Sequence, residues 1–531
     1  MVALFFALQG RPGESVAAAA AAALVVVLMR QPTLSWRSLI ALLIVVILFV
    51  PIRRFILPGS LPFQLEPYRI LVALLAAGWL TSLLIDRRVK PRLTGFDLPI
   101  LLFLGAMIGS IIVNNRRISV QHLDSEVFKS VTFFLSYVLV MYLIVSVIRN
   151  IRDVVFLLKV AVSGTGVVAF FAVVEARTGY NVFDHVDRVL PFLERNRGAT
   201  ETVRDGLLRA TGPAEHPIAL GVALAMMVPI AGVLAYTQRR KVWAVLAIVI
   251  LTGCLVTVSR TGVLVLAVEA IVFFGLRRTT LKSLLPALVP LVVVVHLAAP
   301  GTVDAVWHAF SPKGGLTAEQ QGFLDSGRLG KARLDPTFAQ IDRHPLLGIG
   351  WGTRIVSGPK RNSPILDDQW LGVVLQTGII GGLAWVWLFV RLFRRLGRVA
   401  REDDTERGWL VLGLLAAAIG LGASMLTYDV FSFVQVTFVF FMLLGISGAL
   451  VLLHPRTEVS VVAEQRVPAT PFRSGSFGFG LVVLAAGLVL FDFFQSTSIK
   501  FFLFVLGVLA LAMWAIERGR QPVPSMPETS R

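Results

Sequence analysis

The chain is poor in the residues that a soluble protein of its length relies on. Only 15% of its 531 residues are charged, and acidic residues are fewest, 32 against 50 Lys and Arg. Soluble domains carry about a quarter charged residues, so no polar surface large enough to enclose this much apolar material exists. A single cysteine, Cys254, excludes an intramolecular disulfide and any cysteine-based metal cluster. The first residues, MVALFFALQGRPGES, lack a basic segment ahead of an apolar core, so no cleaved signal peptide is read there. No polar stretch of domain size interrupts the chain.

What is present is apolar sequence. Hydrophobic residues make up 56% of the chain, and the mean hydropathy is +0.77. Apolar runs recur near 16–29, 38–51, 69–85, 97–113, 131–148, 153–175, 217–236, 241–257, 261–275 and 283–299. Five more lie near 369–390, 408–427, 430–453, 479–495 and 499–516. The pattern predicts an all-α polytopic membrane protein of about 14 transmembrane helices. A polar, Pro- and Ser-containing segment at 454–476 reads as a cytoplasmic linker. It sets apart a C-terminal transmembrane hairpin at 477–517 and a disordered cytoplasmic tail at 518–531 from a core over 1–453.

The net charge of +18 would suit nucleic acid if it formed one basic face. Instead the cations flank apolar runs, which points to a lipid bilayer and to no nucleic acid. DRRVKPR at 86–92, RNIRD at 149–153, QRRK at 238–241, LRRTTLK at 276–282 and RLFRRLGRVAR at 391–401 all fall on one side. The positive-inside rule makes that side cytoplasmic. The opposite, external side then receives 114–130, 176–216, the turn at Ser259 and Arg260, and the loop 300–368. That long loop is expected to hold short helices and to cap the bundle.

Polar groups with chemical potential gather on the external side. Arg209 precedes the run that begins at Pro217, and Arg260 sits in a turn too short to be a loop. At a helix N-terminus the dipole opposes a cation by about 0.3–1 kcal/mol and attracts an anion, so a phosphate group would relieve both. An arginine that snorkels to lipid headgroups, or caps the preceding helix, explains Arg260 equally well. Glycines at 348, 350 and 352 after His344-Pro345 predict a tight turn that exposes backbone. Asp367 and Asp368 stand just before the run at 369–390, where one would accept a hydroxyl proton and the other would cap the helix.

LLRATGPAEHP (207–217), VSRTG (258–262), the stretch from Arg328 to HPLLGIG (344–350), and DDQWLGVVLQTGIIGGL (367–383) occur in that order around the long loop. Over roughly residues 70–453 this set resembles the O-antigen ligase and O-antigen polymerase superfamily. The resemblance implies a GT-C-like helical membrane bundle with an external cavity under the long loop. It implies transfer of a glycan from an undecaprenyl-diphosphate donor to a glycan or glycolipid acceptor hydroxyl, outside the bacterial cytoplasmic (inner) membrane, with no cofactor. The family's diphosphate-holding arginines match Arg209 and Arg260, and Arg328, His216, His344 and Asp368 are expected to contact substrate. The ligases begin the motif that ends in Thr377-Gly378 with a histidine as the base, followed by asparagine. Asp367 and Asp368 occupy those positions here, a departure that favours polymerisation or a different acceptor.

A metal-independent clamp follows, because guanidinium groups hold phosphate oxygens bidentately and stay charged at any working pH. Glu175, Glu269, Asp429 and Asp492 also lie in or beside apolar runs, where ionisable groups are functional candidates, without an assignable partner. Two other classes of protein fit the composition: a lipid-linked oligosaccharide flippase, with its polar groups along a midplane path, and an envelope scaffold that docks through 300–368.

Overall fold

The computed structural model describes residues 35–57, 66–85, 91–196, 203–204, 207–277, 331–356 and 361–453. The predicted spans at 16–29 and 283–299, the residues 300–330 with Arg328, the linker, the hairpin with Asp492 and the tail lie outside the described residues.

The described chain is a helical bundle. Its main helices are α1 (Trp36–Phe49), α2 (Pro67–Ile85), α3 (Asp97–Val113), α4 (Asp124–Val147), α5 (Ile151–Thr178) and α6 (Pro217–Gln238). They continue as α7 (Lys241–Leu255), α8 (Arg260–Leu276), α9 (Lys331–Arg343), α10 (Gln369–Glu402), α11 (Glu406–Ser424) and α12 (Val434–Leu452). By length and composition α4, α5, α6, α10, α11 and α12 are long and apolar enough to cross a membrane, and α1, α3 and α7 are shorter apolar helices. The predicted runs mostly lie on these helices to within a few residues, because long apolar stretches leave the backbone no alternative partner inside lipid. Only two short antiparallel strand pairs are described, Phe55–Ile56 with Glu194–Arg195 and Val203–Arg204 with Leu207–Leu208.

The core sits where α6 packs on α7 and α11, α3 on α10, α4 on α12, and α8 on α11. Hydrogen bonds between segments define two ends. One carries the starts of α6, α8, α10 and α12. The other carries the C-terminal ends of α8, α10 and α12, with Arg277 after α8, the arginines that end α10, and Arg407 against the end of α12.

Residues 345–350 are built into α10 itself. Within α10, Gly378 takes φ +68°, ψ −172° and interrupts the helix. A regular helix would pair Ile379 N–H with Leu375 C=O and Ile380 N–H with Gln376 C=O. Instead Ile379 and Ile380 donate to Pro345 and Leu346 carbonyls (2.9 and 3.5 Å), while Leu375 and Gln376 carbonyls accept from Ile349 and Gly350 (3.0 and 3.2 Å). The backbone of 345–350 thus substitutes for both missing helical pairs. This satisfaction is what an apolar medium demands of irregular backbone. Close approach needs glycine: a Cβ on Gly348 would lie 2.6 Å from the backbone at Gln376 and Gly378. The expected glycine turn is present, with positive φ at Gly348, Gly350 and Gly352. Trp351, 5% exposed, then plugs into the rings of Phe103, Phe134 and Phe431 at 5.6–5.9 Å between centroids.

Candidate functional site

Arg209 and Arg260 come from segments far apart in sequence that meet at one turn. Arg209 Nε donates to the Thr257 carbonyl at 3.0 Å. Thr257 opens the turn that leads into α8, whose first residue is Arg260 and whose N-cap, Ser259, accepts from Gly262 N–H at 3.3 Å. Arg260 therefore stands at a helix N-terminus. Between them Val258 adopts φ +46°, a conformation that costs a β-branched residue on the order of 1–3 kcal/mol. The turn is wedged against α6 at Gly221, where a Cβ would come within 2.7 Å of Thr257 Oγ1. Packing against that notch holds the strained turn in place.

The segment that carries Arg209 is fixed from both sides. Glu175, at the end of α5, accepts from Thr211 N–H (3.0 Å), Thr211 Oγ1 (2.9 Å), Gly212 N–H (2.8 Å) and Asn181 Nδ2 (3.1 Å). Arg54 donates to the carbonyls of Gly212 and Ala214 and pairs with Asp184 at 3.0 Å. A buried carboxylate and a buried guanidinium thus grip the two faces of one turn, and each finds the partners that burial requires. Glu175 is in this way accounted for as a structural anchor of the Arg209 segment.

A carboxylate group lies beside the start of α10. Asp368 is the N-cap and accepts from Leu371 N–H at 3.0 Å, so it is the member of the pair that closes the helix. Burial raises the pKa of Asp368, opposed by its bonds from Leu371 and Trp370. Asp367 holds φ +51°, a left-handed conformation that aspartate tolerates better than most residues. Asp429, in the turn between α11 and α12, joins them. Burial lifts the pKa of Asp429 and the neighbouring charges of Asp367 and Asp368 push it further, while Arg354 opposes. Arg354 is held by Ser363 Oγ at 3.1 Å and the Pro364 carbonyl at 2.9 Å.

Two ties bring the arginine turn and the carboxylates to the same end of the bundle. Thr261, next to Arg260, shares a 3.0 Å hydrogen bond with Thr427, two residues before Asp429. Gln369, next to Asp368, donates its N–H to Met425 C=O at 2.7 Å and accepts from Phe431 N–H at 2.8 Å. The 425–433 turn is therefore stitched to α8 on one side and α10 on the other.

His216 caps α6, its Nδ1 accepting from Ile218 N–H at 3.2 Å, with Phe433 6.0 Å away between ring centroids. His344 ends α9, exposed, and the described contacts do not join it to the carboxylates. Sequence reading left Asp429 without a partner and passed over Arg54, Arg354 and the Arg53–Glu215 ion pair (2.7 Å) entirely. Only Glu215 had a visible signal, its place beside His216-Pro217. Among the described residues no group of three or more His, Cys, Asp and Glu is arranged to hold a metal ion.

A multi-pass helical membrane protein with arginines and carboxylates stitched together at one end is the class these features define. The O-antigen ligase family (Wzy_C) matches residues 245–386. That stretch runs from α7 through the Arg260 turn and the Gly348 insertion to the broken part of α10, and the match supports the O-antigen ligase and polymerase superfamily and a membrane glycan ligase or polymerase role. A search of the curated proteins gave no match.

Proposed function

We propose that the chain transfers or polymerises a glycan from an undecaprenyl-diphosphate donor onto an acceptor hydroxyl at the outer face of a bacterial cytoplasmic membrane. The observation that carries this reading is the pair of ties through Thr261–Thr427 and Gln369, which put the Arg260 helix start and the Asp367, Asp368 and Asp429 carboxylates at one end of the bundle. A diphosphate leaving group needs cations, and an acceptor hydroxyl needs a base.

In this reading Arg209 and Arg260 clamp the diphosphate, with the N-terminus of α8 adding its partial positive charge. The positive charge comes from the protein, so no metal enters. Asp367 takes the acceptor proton as the hydroxyl oxygen attacks the anomeric carbon. The glycosidic oxygen departs with the polyprenyl diphosphate, and the configuration inverts. Asp368 holds the start of α10 still, and Asp429 and Arg354 shape the field around Asp367. The full count of about fourteen spans, read from the apolar runs, and the long loop outside, read from the positive-inside assignment, belong to the same reading.

Reconstitution of the full chain in vesicles with a polyprenyl-diphosphate glycan tests it. Glycan transfer that falls about 10²–10⁴-fold in Asp367→Asn supports the assigned base. Translocation of the lipid without transfer would favour a flippase, and neither activity would favour a scaffold.

A further inference from the structure

The outward side of α10 changes character once along its length. Leu383, Val386, Trp387 and Val390 are exposed there and apolar. After them come Arg391, Arg394, Arg395, Arg398 and Arg401. At about 100° per residue the five arginines fall within an arc of about 120°, which overlaps the side that carries the apolar four. The other side of the same stretch is buried, through Leu388, Leu392, Leu396 and Ala400. At about 1.5 Å per residue, Gln369–Val390 rises about 33 Å, close to the roughly 30 Å of bilayer hydrocarbon. The arginines therefore begin where hydrocarbon ends. Trp387 marks that boundary as interfacial tryptophans do, with the Arg391 guanidinium 5.5 Å from its ring centroid.

Stabilisation of the fold does not account for these cations. Arg277 and Arg407, at the same end of the bundle, pair with Asp404 and Asp403, whereas none of the five forms an ion pair among the described residues. Glu402 is the only acidic residue in 391–402, and it is exposed and makes no ion pair with them. The dipole at the C-terminus of α10 favours Arg401, in the last turn, and leaves Arg391, Arg394 and Arg395 too far away to benefit. Arg395 turns over Gly95, ahead of α3, where any side chain would overlap its guanidinium. Arg394 and Arg398 stay exposed. Like charges crowded on one face repel, and a guanidinium binds phosphate oxygens bidentately. The phosphate found at this depth, beside outward apolar side chains, is that of a phospholipid.

We infer that Arg391, Arg394 and Arg398 form a binding site for anionic phospholipid headgroups in the leaflet at this end of the bundle, with acyl chains along Val386, Trp387 and Val390. Anionic headgroups are selected over zwitterionic ones, whose own ammonium the arginines repel. The site lies at the opposite end of α10 from Asp368 and takes no part in glycan transfer.

The test compares phosphatidylglycerol with phosphatidylcholine on the full chain, purified in a neutral detergent. Lipid retained in native mass spectrometry and the shift of the unfolding temperature are both read. Phosphatidylglycerol should be preferred, and Arg394→Gln/Arg398→Gln should weaken its binding about thirtyfold, on the order of fivefold for each guanidinium lost. Both positions are exposed, so the double variant is expected to fold, and an unchanged unfolding temperature without added lipid checks it. Arg116→Gln/Arg117→Gln, near the Asn114–Gly348 contact at the other end, should leave the preference intact. Equal binding of the two lipids, a preference that survives Arg394→Gln/Arg398→Gln, or one lost as fully in Arg116→Gln/Arg117→Gln overturns the site. Displacement of the lipid by millimolar inorganic phosphate would make it a site for a soluble anion and overturn the assignment to lipid. No glycan substrate is involved, so each of these failures leaves the transferase reading standing.

Discussion

The arginine-rich end of the bundle and the Arg260 turn use arginine in opposite ways. At the arginine-rich end the guanidinium groups meet helix C-termini. Arg277 donates to the Ala400 and Asp403 carbonyls and pairs with Asp404, while Arg407 donates to Leu450 C=O at 3.0 Å and pairs with Asp403 at 3.0 Å. The helix dipole favours cations there, and each one also has a carboxylate. At the other end Arg260 starts α8, where the dipole opposes it, in a turn that keeps Val258 at φ +46°. Cations that stabilise a fold are placed where the fold attracts them. A cation held against the dipole beside a strained turn suits an anion that the protein must bind.

That contrast can be broken most directly by exchanging loss of function for loss of stability. Arg260→Ala should lower glycan transfer about 10²–10³-fold with little change in unfolding temperature. Arg407→Ala leaves Asp403 buried without its guanidinium and should destabilise by about 3–5 kcal/mol, read by thermal unfolding in detergent. If Arg260→Ala unfolds the chain and keeps activity in what remains folded, the two ends are alike and the contrast fails.

The inserted loop offers the next largest effect. Gly378→Ala places a methyl group against the Leu346–Leu347 backbone and strains a positive φ, at a cost of about 3 kcal/mol. Thermal unfolding should show it, and protease cleavage after Arg343 should accelerate as the 345–350 segment leaves α10. A smaller change sharpens the picture of the arginine turn. Ser259→Ala removes the cap of α8 and should cost about 1 kcal/mol, with a proportionate loss of donor affinity as Arg260 loosens.

The smallest effect is a pH dependence. Burial, then the like charges of Asp367 and Asp368, hold the Asp429 carboxyl above its usual range against the pull of Arg354. A raised pKa means the folded chain binds this proton more tightly than the unfolded chain. Its contribution to stability is therefore complete below the ordinary aspartate pKa of about 3.9 and fades as pH rises through the raised value. Asp429→Asn carries no charge at any pH, so its unfolding temperature should fall less than that of the wild type between about pH 4 and 7. Parallel curves would show that Asp429 is not held in that state.

Several features were legible in the residues because they depend on neighbours in the chain. Apolar runs marked α3 and α6 closely, Pro217 and Lys241 marked helix starts, and the glycines at 348, 350 and 352 predicted their own turn. The DDQ sequence showed that one aspartate would cap α10, but not which. Arg209 and Arg260 were singled out by type and place, yet nothing in the chain between them reveals that the Arg209 guanidinium reaches the Thr257 carbonyl. The reading of 300–368 as a cap did not anticipate that 345–350 would lend its backbone to α10.

By itself the sequence determined that this chain needs a bilayer and where most of its helices run, since hydropathy and glycine or proline conformation act over a few residues. Which of the two aspartates caps α10, how Glu175 and Arg54 grip the Arg209 segment, and why Gly378 can interrupt a helix were decided only by the tertiary structure. Those outcomes depend on hydrogen bonds between segments tens to hundreds of positions apart, whose partners are chosen by helix packing and by the cost of leaving a buried polar group unpaired.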